Sequence, residues 1–207
     1  KALPHVFMAI WVVFAVEIFF RFFPSDIESM GCQKQFARNY KPRENGTKPE
    51  KIKPLRVVSV VAAWFALNGV IGILYHNSII DEGVLFLICL LYSVCDMICI
   101  LFFCPFQTWF LHNKCCGSCR IYNWDYAMMF TPLSFVKGIF AKSLLFLGLS
   151  LLIVWEIRYF LHPERFYEST NLSLTCANCT EKLCTHKKQL RTFLLNHYNG
   201  VYWKNSQ

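Results

Sequence analysis

The sequence predicts an all-α integral membrane protein, with four transmembrane helices followed by a polar, Cys-rich C-terminal tail. Three observations lead there. Four long apolar runs lie at about residues 2–23, 57–75, 84–104 and 138–161. Charged residues are 16% of the 207, against about 25% in a soluble domain. Basic residues gather in the segments between the apolar runs, not on one interleaved face. Crossing a hydrocarbon core of about 30 Å takes roughly 20 apolar residues in a helix. Lipid offers backbone N–H and C=O groups no partner, so each run must satisfy its own.

The run at 138–161 is the strongest of the four. Lys137 and Lys142 stand at one rim, where long side chains reach water. Trp155 and Tyr159 stand toward the other, as interface aromatics do. The first run carries Glu17 and Arg21, four residues apart on one helical face. That spacing suits a local ion pair, and an intramembrane carboxylate also suggests a proton relay or substrate site. No small-residue cleavage site follows the run, so it reads as a span, not a cleaved leader. The second run places Asn68, Gly69 and Gly72 where helices pack closely. The third holds Asp96 near its middle. Its cysteines, Cys89, Cys95, Cys99 and Cys104, read as small packing residues. In this register Glu17, Asn68 and Asp96 fall at comparable depths and could share one polar cluster.

The segments between and after the runs divide the chain into a membrane domain, 1–161, and a tail, 162–207. The first loop, 24–56, is rich in Lys, Arg and Pro and reads as extended and hydrophilic. The second, 105–137, carries Trp109, Tyr122, Trp124 and Tyr126, amphipathic aromatics suited to a membrane interface. Within it, CRIYNWDYAMMFTPL (residues 119–133) is similar to segments of uncharacterised bacterial multi-pass membrane proteins. That resemblance covers about fifteen residues and implies no function. With four spans, both loops share one side and both termini the other. The loops hold Lys34, Arg38, Lys41, Arg43, Lys48, Lys51, Lys53, Arg56, Lys114 and Arg120, so the loops are expected to be cytoplasmic and both termini outside.

Eleven cysteines suggest chemistry. In the tail, Cys176, Cys179, Cys184 and His186 form C-x2-C-x4-C-x-H, a donor set suited to zinc or an iron–sulfur cluster. A disulfide competes if the tail is outside. In the loops, Cys115, Cys116 and Cys119 could be completed by Cys32, giving four thiolates on one side; palmitoylation is the rival use. His5, His76 and His162 fall near one membrane face and are candidates for a haem or metal, although no CxxCH is present. Asn171-Leu-Ser and Asn178-Cys-Thr match glycosylation sequons. From residue 181 onward, Leu183, Leu190, Phe193, Leu194 and Val201 fit a rough helical stripe that packs on the protein or on the membrane surface.

No nucleophile motif, phosphate-binding glycine loop or HExxH occurs, so catalysis of the chain's own is not expected. The net charge of +8 is explained by orientation and anionic lipid, without nucleic acid. The expected partners are the lipid bilayer and other membrane subunits or further copies of the chain. The leading expectation is a small membrane protein with thiolate-rich metal or redox sites, serving as an anchor or electron-transfer subunit of a larger complex. Against it stand an oligomeric transporter or channel, with a polar path at Glu17, Asn68 and Asp96, and an assembly subunit without chemistry.

Overall fold

The computed structural model describes residues 4–24, 30–43, 54–101, 104–111, 119, 121–178 and 192–193. The described residues form helices and turns, with no strand among them. Three helices are long and apolar enough to cross a membrane: Pro54–His76 (α3), Glu82–Ile100 within α4 (Glu82–Leu101), and Ile139–Leu161 (α6). Their outward faces are apolar, with Phe65, Val70, Leu87, Leu91, Phe146 and Ile153 exposed. That is consistent with an integral membrane protein facing lipid.

The first run forms the shorter helix α1, Pro4–Phe20, of 17 residues. At 1.5 Å per residue it spans about 26 Å, just below the thickness of a hydrocarbon core. Three of the four expected runs thus form long apolar helices, and the first forms a shorter one. Pro54 opens α3 because its missing N–H is not needed in a first turn. A turn at 77–81 then reverses the chain, and the Asp81 carboxylate accepts the Val84 N–H at 2.9 Å to cap α4.

The largest departure from expectation is the second loop. Residues 121–136 are a broken helical rod: a 3-10 turn (Tyr122–Trp124), a short helix (Asp125–Met129, α5) and another 3-10 stretch (Thr131–Phe135). The rod runs antiparallel to α6. Trp124 Nε1 donates to Glu156 at 2.7 Å, Tyr126 and Ala127 lie against Gly148, and Val136 lies beside Gly138. Its residues Tyr126, Ala127, Met129, Phe130, Leu133 and Val136 are buried. Trp124 and Tyr126 are thus core residues, not interface aromatics, and Trp155 of α6 is 2% exposed. Trp109 is exposed. Aromatic residues serve either place, and the chain uses these three to fill the interior.

The rod changes which segments meet. It returns the chain to the end of the bundle where the 77–81 turn lies, the turn end. α6 then descends to the other, basic end, where 30–43 and 104–111 also lie. α1 runs parallel to α6: Trp11 Nε1 donates to Ser143 at 2.8 Å near the turn end. Arg158 donates to the Phe22 carbonyl at 3.1 Å near the basic end.

The start of the tail consequently joins the first loop. Leu172 N–H donates to the Lys41 carbonyl at 2.9 Å, and Arg43 N–H to the Thr170 carbonyl at 3.2 Å. Asn171, 0% exposed, donates through Nδ2 to the Lys34 and Arg165 carbonyls at 3.0 and 2.8 Å. These bonds bring loop one and the start of the tail together, segments that a count of four spans places apart. The first loop is not wholly extended either. A short helix, Met30–Gln33 (α2), opens its described part, and Cys32, Gln33, Gln35 and Phe36 are buried.

Candidate functional site

Where α1, α4 and the rod meet, charged side chains are held inside the bundle. Arg21, just past the end of α1, donates to the Asp125 carboxylate at 2.5 Å, with side chains 7% and 8% exposed. The guanidinium carbon also lies 4.5 Å from the Tyr126 ring centroid, a cation–π distance. The Tyr126 hydroxyl is within hydrogen-bond reach of Glu17. The Asp125 carboxylate additionally accepts the Tyr126 N–H at 2.9 Å. The carboxylate that pairs with Arg21 is thus Asp125, 104 residues along the chain, where Glu17 was the expected partner. Sequence reasoning missed Asp125 because it placed the whole second loop at the interface.

Beside this pair lies a cavity of about 130 Å³. Asp96 opens onto it, and so do Asp125, Trp64, Tyr92 and Phe106. Asp96 lies in the electrostatic field of Asp125, Arg21 and Glu17. No hydrogen-bond donor reaches its carboxylate among the described residues. Cys95, Cys99, Cys104 and Cys119 line the same cavity, and the Cys99 and Cys104 thiols are within hydrogen-bond reach of one another. Of the span-three cysteines, only Cys89 is a buried packing residue, as expected of all four. The Cys95–Cys99 spacing of four puts both sulfurs on the Asp96 side of α4, a signal the sequence carried.

Of the three expected polar residues, Asp96 lines the cavity, Glu17 is exposed on α1 beside Tyr126, and Asn68 lies elsewhere. Asn68 lies about 12 Å along α3 from His76, whereas Asp96 lies about 21 Å along α4 from Glu82. Both reference points are at the turn end, so the two differ in depth. Asn68, 2% exposed, donates to the Trp64 carbonyl of its own helix at 3.0 Å.

The expected metal donors fare differently. Cys32 and Cys119 are buried in separate hydrophobic clusters, the first with Trp155 and Phe36, the second with Val60 and Trp124. Cys115 and Cys116 lie outside the described residues. So do Cys179, Cys184 and His186; of Cys176 only the backbone is described, in a 3-10 turn. Of the tail stripe only Phe193 is described, and it is exposed.

The three histidines are not gathered. His5 and His76 belong to the turn end, whereas His162 ends α6 at the basic end and meets Glu164 at 3.2 Å. The rod is the reason, since it carries the chain back to the turn end before α6 begins. Among the described residues, no three His, Cys, Asp or Glu side chains are placed to hold one metal ion. The buried Asn171 has both side-chain atoms engaged, so its sequon is unsuited to glycosylation in the folded chain. Asn178 is exposed.

The chain matches no protein-family model, no curated protein and no solved structure.

Proposed function

We propose that the chain is a small membrane carrier or channel that moves protons or a small cation through its bundle. Asp96 is the site of entry from the cavity, and the Arg21–Asp125–Glu17 cluster is the continuation of the path. One observation carries this reading: an aspartate without a hydrogen-bond donor opens on a cavity beside a buried ion pair. A buried ion pair seldom stabilises a fold better than apolar residues of the same size, and ionisable groups inside a membrane generally mark ion or substrate pathways. In this reading α1 and the rod cross the bilayer beside the three long helices. The basic end, with residues 30–43, 104–111 and the start of the tail, is cytoplasmic, following its excess of Lys and Arg.

The test is proton flux. The full chain is reconstituted in lipid vesicles holding a trapped pH-sensitive dye, and a potassium diffusion potential drives entry. Wild type is expected to acidify the lumen faster than protein-free vesicles do. Asp96→Asn loses that excess, and Cys115→Ser with Cys116→Ser keeps it. Flux equal to protein-free vesicles, or an Asp96→Asn variant as fast as wild type, would overturn the reading.

A further inference from the structure

We infer that the cavity beside Asp96 takes a compact organic cation, a protonated amine carried on an apolar body about the size of one aromatic ring. This rests on the carrier reading and names its substrate class.

Size, wall chemistry and charge converge on that ligand. About 130 Å³ is on the scale of the roughly 150 Å³ engineered cavity that holds benzene. The walls are mostly apolar, and four of the lining side chains are rings: Trp64, Tyr92, Phe106 and Tyr122. Trp64 and Tyr92 have centroids 4.7 Å apart, and Trp64 and Phe106 6.2 Å apart. Aromatic faces attract an organic cation and also pack against its apolar body. The soft, polarizable sulfurs of Cys95, Cys99 and Cys104 suit the same body.

Charge selects the head group. Asp125 is already matched by Arg21, which leaves Asp96 as the carboxylate facing the cavity without a donor. The Tyr92 hydroxyl is buried without a hydrogen-bond partner among the described residues, so it offers an acceptor for an ammonium proton. An ammonium group has three donors to give. A neutral ligand would give the Asp96 carboxylate no opposite charge to pair with, whereas an ammonium group would. A hard divalent ion would need six or more oxygen ligands, and these walls do not supply them. An anion would meet the Asp96 carboxylate directly.

The experiment uses benzylamine as the probe and benzyl alcohol as its neutral counterpart, titrated calorimetrically into the purified full chain in detergent near neutral pH. Benzylamine is expected to bind about tenfold or more tightly than benzyl alcohol, one Coulombic contact's worth of preference. Asp96→Asn removes the preference, Asp96→Glu retains it, and Trp64→Leu weakens both ligands. Equal binding of the two ligands, binding of neither, or a preference that survives in Asp96→Asn while Asp96→Glu folds normally would each overturn the inference. The two proposals fail separately. Proton flux without benzylamine binding sinks the ligand class and leaves the carrier. Asp96-dependent benzylamine binding without flux sustains the ligand class and sinks the carrier.

Discussion

Arg21 and Asp125 set the terms at the scale of single residues. Each is almost wholly withdrawn from solvent, so the charge of each is balanced chiefly by the other. Asp125→Ala takes the carboxylate from the buried guanidinium and is expected to cost about 3–5 kcal/mol of stability. Replacing both, as Arg21→Met with Asp125→Leu, leaves neither charge to strand. The double variant should melt close to wild type while its proton flux is lost. Thermal unfolding in detergent, run beside the vesicle assay, separates the two effects. A double variant as unstable as Asp125→Ala would mean that the pair is there for folding. Of this site, Glu17, Arg21 and Asp96 were legible from sequence, because a charge inside an apolar run stands out against its neighbours. Asp125 was not, because it sits among Tyr, Trp and Asn residues that suit an interface equally well.

At the scale of elements, the broken rod at 121–136 depends on a notch in α6. A Cβ placed on Gly148 would lie 3.1 Å from the Tyr126 carbonyl carbon and oxygen and 3.2 Å from the Ala127 nitrogen. These are backbone atoms, so no rotamer change relieves the contact. Gly148→Ala is expected to cost about 1–3 kcal/mol, as overpacking does, and Gly148→Leu to unseat the rod altogether. Gly72 faces a softer neighbour, since its added Cβ would meet only the Phe135 ring. Gly72→Ala should therefore lower the melting midpoint less than Gly148→Ala. The reverse order would show that the rod is not held where the backbone contact is. The long helices were readable because an unbroken apolar run of about twenty residues matches the thickness of a bilayer. The rod was not, since its helical pieces are three to five residues long and take their shape from the helices around them.

For the molecule as a whole, the rod decides how the chain is threaded. Counting apolar runs gives an even number of crossings and puts both termini on one side. The described residues instead tie the start of the tail to loop one through Asn171 and the backbone around it. An epitope inserted within 44–50 and another placed after residue 178 should be digested together by protease in sealed vesicles of one orientation. An epitope at the N-terminus should be spared under those conditions and cleaved in vesicles of the opposite orientation. Protection of the loop with digestion of the tail would restore the simpler threading. Clustering of basic residues was visible in the sequence, but where the tail goes depended on one segment too irregular to count. The notch at Gly148 has a consequence for biosynthesis. The rod emerges from the ribosome before the glycine that seats it, so its close contact with Gly148 has to wait for α6. A nascent chain halted just short of position 148 would carry Tyr126 and Ala127 with no notch to rest against, and the rod would settle only once α6 had been made.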